Sequence, residues 1–147
     1  LQNGEELQSY FVKRMEKFVH SKGKKLIGWD EILEGGLPER ATVMSWRGFE
    51  GGIEAANAGH NVVMSPGSPL YFDHNQGKSE YEPQSWGGYN NLLKVYNFNP
   101  VPDDIAADKR HHILGGQANL WTEQIKSLSH IQYMMLPRSL RVLACKL

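Results

Sequence analysis

The sequence has one cysteine, Cys145, so an internal disulfide framework is excluded, and a thiol this near the last residue reads as a spare side chain rather than a nucleophile. It has no excess of either charge. Sixteen Lys and Arg balance sixteen Asp and Glu, which leaves no overall field to draw nucleic acid or a charged membrane surface. The basic cluster Lys22, Lys24 and Lys25 reads as a solvated helix end. No run approaches the roughly 20 apolar residues of a membrane span. The opening Leu1-Gln2-Asn3-Gly4 is neither a signal peptide nor an initiator methionine, so the N-terminus reads as a cut edge.

Several chemistries also lack their residues. His20, His60, His74, His111, His112 and His130 show no zinc-ligand spacing, so no metal site is expected. No serine sits in a G-x-S-x-G elbow, no G-x-G-x-x-G follows a strand, and no phosphate-binding loop is present. Acyl transfer and dinucleotide binding therefore have no candidate residues.

What is present is a 147-residue chain, 40% hydrophobic, within the size range of one domain. Apolar residues Leu7, Phe11, Met15, Phe18 and Val19 recur at helical spacing over residues 5–21, and Gly23 stands where a C-cap glycine would. Residues 24–29, 42–46, 62–64 and 113–120 read as buried strands. An abbreviated helix is expected between the first two, and a small-residue helix over 53–58, stopped by Gly59, between the next two. Strands apolar on both faces and alternating with helices imply a parallel sheet covered by helices, an α/β architecture. Residues 66–110 hold five of the seven prolines and are too long for a mere connector. Within them a helical turn is expected at 91–96 and an extended stretch at 99–102. A helix over 129–144, kinked by Pro137, closes the chain.

Each strand runs into an aromatic and a polar or acidic residue. The first ends in Trp29-Asp30-Glu31, the second in Trp46, the third leads to Tyr71 and Asp73, and the fourth to Trp121 and Glu123. Flat aromatic faces cover the C–H surface of a pyranose and carboxylates accept bonds from its hydroxyls, so the set suits a sugar. Parallel strands with such ends match half of an eight-stranded β/α barrel, whose active sites lie at that face. Asp30-Glu31 could be an acid/base pair, or could cap a helix and anchor a loop. Adjacent strand residues point to opposite faces, so both reach one substrate only if the strand ends between them.

Gly28-Trp29-Asp30-Glu31, Val43-Met44-Ser45-Trp46-Arg47-Gly48, Met64-Ser65-Pro66 with Tyr71-Phe72-Asp73, and Gly115-Gly116-Gln117-Ala118-Asn119-Leu120-Trp121-Thr122-Glu123 together resemble glycoside hydrolase family 20, the β-N-acetylhexosaminidases. The resemblance runs in the family's order over residues 5–144. It implies that residues 1–147 are the C-terminal half of the catalytic TIM barrel, about strands five to eight with their helices, and that the remaining half is needed. It further implies an exo-acting enzyme that removes terminal N-acetylglucosamine or N-acetylgalactosamine from glycans or chitooligosaccharides with retention. The substrate's own 2-acetamido oxygen is then the nucleophile, and no cofactor is expected.

By the same resemblance, Trp29, Trp46 and Trp121 enclose the acetamido group and sugar face, and the Tyr71 hydroxyl orients the acetamido oxygen. Asp73 and Glu123 hold the outer hydroxyls, and Trp86 stacks under the leaving sugar. The family's catalytic Asp-Glu pair belongs to a His-x-Gly-Gly-Asp-Glu motif that is absent from this chain, so the 147 residues alone are expected to be inactive. A noncatalytic N-acetylhexosamine-binding protein is the alternative. The resemblance implies a periplasmic, secreted or lysosomal parent.

Overall fold

The computed structural model describes residues 3–143, so Cys145 lies outside the described residues. They hold six α-helices and a four-stranded sheet. The strands are β1 Ile27–Trp29, β2 Thr42–Ser45, β3 Val62–Met64 and β4 Ile113–Gly116, in the spatial order β1-β2-β3-β4. The pairs β1–β2 and β2–β3 are parallel, with Trp29 opposite Met44 and Ser45 opposite Met64. The α/β reading with a parallel sheet holds.

The chain divides into two compact units. The first comprises residues up to Met64 together with Val101–Gly115. Its helix α1, Gly4–Ser21, starts on Asn3, whose side chain accepts the Glu6 backbone N–H at 2.8 Å. It stops before Gly23, which has the positive φ of 69° that a C-cap glycine supplies at no steric cost. Helix α2, Glu50–Asn57, takes both Gly51 and Gly52 into its first turn, and the Gly52 backbone N–H finds the buried Ser45 hydroxyl at 2.9 Å. A Cβ on Gly52 would lie 2.6 Å from the Met64 side chain, so glycine lets α2 press directly on the sheet. Ala41, Val43, Ala55, Ala56, Val62, Met64, Ile105 and Ile113 form this core. Asn57 ties the returning segment down, accepting the Ala106 N–H at 3.0 Å.

The second unit comprises Ser65–Pro100 and the residues from Gly116 onward. It holds α3 Gly67–Leu70, α4 Leu92–Tyr96, α5 Leu128–Met135 and α6 Arg138–Leu143. Asn91 caps α4 through the Lys94 N–H at 2.9 Å, and Ser127 caps α5 through the His130 N–H at 3.1 Å. Its core is Leu70, Phe72, Val95, Phe98 and Met134.

The outer strands and two helices depart from expectation. The first strand begins at Ile27 rather than 24, and the last stops at Gly116 rather than 120; both are sheet edges, with Ile27 and Leu114 about half exposed. An edge strand buries less because no neighbour covers one side. The apolar stripe of α1 is buried only in part, with Met15 and Val19 half-buried. Leu7, Phe11 and Phe18 are exposed while Ser9 is buried, because the Ser9 hydroxyl donates to the Gly36 carbonyl at 2.7 Å and turns the helix by that contact. The final helix is broken at Leu136-Pro137 into α5 and α6 rather than kinked. Residues 99–102 bend at Pro100 and Val101 instead of running extended. The abbreviated helix after β1 is the 3₁₀ helix Asp30–Leu33, and a second, unexpected 3₁₀ helix, Ala107–His112, precedes β4.

Candidate functional site

In the first unit, Trp29 closes β1 and Trp46 follows β2 directly, so two parallel strands deliver both indoles at the same end of the sheet. Their rings meet edge to face, with centroids 6.5 Å apart and an interplanar angle of 81°. The strand ends at Trp29, and Asp30 and Glu31 belong to the 3₁₀ helix, which answers the question their adjacency raised. Their acceptors are occupied. Asp30, 1% exposed, accepts the backbone N–H groups of Trp46 and Arg47 at 3.1 and 3.2 Å and the Arg47 Nε at 2.7 Å. Glu31 accepts the Trp46 indole N–H with both oxygens, each at 3.0 Å. Arg47 also reaches Glu34 at 2.6 Å. These carboxylates brace the β2 loop.

In the second unit, Tyr71 forms an isolated parallel bridge with Asn119, and the Phe72 N–H donates to the Asn119 carbonyl at 2.7 Å. That pairing carries Trp121 to Tyr71, with ring centroids 6.2 Å apart. Asp73 is 3% exposed, and its Oδ1 is a buried oxygen with no hydrogen-bond partner among the described residues. Burial raises the pKa of this carboxyl; its own backbone N–H, the charge of His74 and the Trp121 N–H oppose that, while Glu123 adds to it. A carboxylate held in place with an unused, desolvated oxygen is poised for a hydroxyl donor. Glu123 itself is exposed, and Trp86 stands 58% exposed in the loop before Gly87.

A layer of polar residues behind Tyr71 and Asp73 went unread in the sequence. Asn90, fully buried, donates from Nδ2 to the carbonyls of Gly67 and Tyr71 at 2.7 and 2.9 Å and faces the His74 Nδ1 at 3.1 Å. The two carbonyls identify that atom as the amide nitrogen and take both of its protons, so the His74 Nδ1 lies beside a saturated donor. Burial, followed by Arg138 and Lys94 and opposed by Asp73, lowers the His74 pKa in agreement with a neutral ring. Arg138, also fully buried, donates to the carbonyls of Phe72 at 2.7 Å, Asn90 at 2.8 Å, His74 at 3.2 Å and, through Nε, Met134 at 3.0 Å. Its burial lowers its pKa to about 10, which leaves it a cation at neutral pH. The only signal in the sequence was an arginine directly after a proline that starts a helix, a pattern that does not single it out.

Trp29 and Trp46 thus belong to the first unit, and Tyr71, Asp73, Trp86, Trp121 and Glu123 to the second. Among the described residues no group of three or more His, Cys, Asp or Glu could hold a metal ion, and no helix is long and apolar enough to cross a membrane.

Residues 1–144 match the family described as glycosyl hydrolase family 20, catalytic domain. The chain is 54% identical over 143 residues to a beta-hexosaminidase of Porphyromonas gingivalis, covering 97% of this chain and 18% of that protein. It is 32% identical over 139 residues to a beta-hexosaminidase of Vibrio furnissii, covering 92% and 23%. Among solved structures it is similar to an exo beta-N-acetylglucosaminidase from Vibrio harveyi in complex with N-acetylglucosamine. The TM-score there is 0.85 at 31% identity, over 96% of this chain and 22% of that one. An N-acetyl-beta-hexosaminidase from Streptomyces plicatus gives a TM-score of 0.77 at 27% identity over 91% and 28%. The chain therefore spans about a fifth of the length of the curated relatives it matches. On these matches, and with its α/β fold, the chain belongs to glycosyl hydrolase family 20, the TIM-barrel hydrolases that include the beta-hexosaminidases.

Proposed function

We propose that residues 1–147 form strands five to eight of the catalytic barrel of an exo-acting β-N-acetylhexosaminidase and supply most of the wall around its terminal sugar. The observation that carries this reading is the Tyr71–Trp121 ring contact beside Asp73, whose buried Oδ1 has no hydrogen-bond partner among the described residues. In the proposed pocket Trp29, Trp46 and Trp121 cover the acetamido methyl and sugar face and exclude water. The Tyr71 hydroxyl donates to the acetamido oxygen and holds it toward the anomeric carbon, in a near-attack geometry. Asp73 and Glu123 accept hydrogen bonds from outer hydroxyls, and Trp86 carries the leaving sugar.

Attack of the acetamido oxygen on the anomeric carbon breaks the glycosidic bond and forms a cyclic oxazolinium ion. Water then opens that ion with overall retention, the substrate-assisted exception to the two-carboxylate scheme. The residue that protonates the leaving oxygen is not among those named here. The only Asp-Glu pair in the chain is Asp30-Glu31, and its acceptors are taken up by Trp46 and Arg47. That occupancy also favours a second reading, a noncatalytic N-acetylhexosamine binder.

The chain alone is accordingly predicted not to hydrolyse a chromogenic N-acetylglucosaminide. Steady turnover above that of a Trp121→Ala control would sink the assignment of the acid to another segment.

A further inference from the structure

We infer that Glu31 is a positioning residue that sets the orientation of the Trp46 indole, while Asp30 sets only the path of its backbone. The two neighbours act on different atoms. Asp30 binds the N–H groups of Trp46 and Arg47, which fixes the chain but leaves the indole its own side-chain torsions. Glu31 accepts the indole N–H with both carboxylate oxygens at 3.0 Å, a charge-assisted contact that selects one rotamer. Trp29, two residues before Glu31, meets the same indole edge to face.

The segment from Trp29 to Glu31 therefore grips Trp46 at its nitrogen, its ring and its backbone. It is itself held by Gln8, whose Nε2 donates to the Glu31 carbonyl at 2.9 Å. Helix α2 closes on it from the other side: a Cβ on Gly51 would stand 3.0 Å from the Asp30 Cβ. A wall residue whose tilt is fixed before the sugar arrives costs less ordering on binding. The inference rests on reading Trp46 as part of the sugar pocket, and its consequence is that Glu31 tunes affinity without touching the sugar.

The test uses the ¹⁵N-labelled full chain, with the Trp46 indole N–H resonance assigned through Trp46→Phe. Both Glu31→Ala and Glu31→Gln change the acceptor and should move that resonance. In a titration with N-acetylglucosamine, Glu31→Ala should weaken binding about tenfold, whereas Glu31→Gln, which keeps an acceptor oxygen in place, should stay within about twofold of the parent chain. A simple loop anchor would not be rescued in this way. A Trp46 resonance unmoved in both variants, or parent-like affinity in Glu31→Ala, overturns the proposal. Should Glu31→Ala lose its fold, the Glu31→Gln resonance alone decides. Failure of the unaltered chain to bind the sugar counts instead against the pocket reading, since the resonance reports the Glu31–Trp46 contact by itself.

Discussion

Burial pushes the pKa values of the neighbours Asp73 and His74 in opposite directions. The carboxyl is raised above its ordinary 3.8 and the imidazole lowered below its ordinary 6.5, because each pays for being charged away from water. For His74 the folded chain binds fewer protons than the unfolded one. Its contribution to stability is therefore complete above about pH 6.5 and falls away as pH drops through that value toward the folded pKa, by at most about 1.4 kcal/mol per pH unit. Asp73 has the reverse sign: the folded chain holds its proton longer, so its burial costs most at high pH and the cost lifts as pH falls toward 3.8. His74→Gln should flatten the pH dependence of the denaturation midpoint just below pH 6.5; an unchanged slope would show that the ring is not held neutral. Asp73 was legible in the sequence because it follows Tyr71 in a motif. His74 was not, because its lowered pKa comes first from burial under residues far along the chain, Asn90 and Arg138 among its neighbours, which the local sequence does not reveal.

Among the elements, helix α6 is joined to the Tyr71–His74 loop by one side chain. Arg138 satisfies the carbonyls of Phe72, His74 and Asn90 while its guanidinium lies 4.7 Å from the Phe72 ring centroid. Arg138→Leu leaves those carbonyls unpaired in the core and should cost about 3 kcal/mol, read as a lower urea midpoint at unchanged slope. Arg138→Lys should recover only part, because an ammonium lacks the planar fork that reaches several carbonyls at once. Equal stability of all three chains would remove Arg138 from this role. Helix α1 shows why elements were easier to locate than to orient. Its period and the C-cap glycine Gly23 placed Gly4–Ser21 to within a residue, but the face it buries is decided by Gly35 and Gly36, whose positive φ of 71° and 103° brings their loop onto Ser9. Hydrophobic spacing carries no trace of that contact. The inner strands β2 and β3 were read well because both their neighbours are present to bury them, and the edge strands less well for want of one.

For the molecule as a whole, four motifs in the right order made the family legible, since each pairs a strand end with a side chain whose chemistry suits a sugar. What spacing could not decide was the meaning of Asp30-Glu31, which depended on where β1 stops and what its neighbour donates. In the proposed function Trp29, Trp46, Tyr71, Asp73 and Trp121 serve an N-acetylhexosamine. Its most direct test is tryptophan fluorescence of the 147-residue chain titrated in parallel with N-acetylglucosamine and with glucose, which lacks the acetamido group. The expected result is saturable quenching or enhancement with N-acetylglucosamine alone, weakened at least tenfold in Tyr71→Phe or Asp73→Asn, as expected for loss of a hydrogen bond to a buried or charged partner. Saturation with both sugars at equal affinity, or an N-acetylglucosamine response unchanged in both variants, would contradict it.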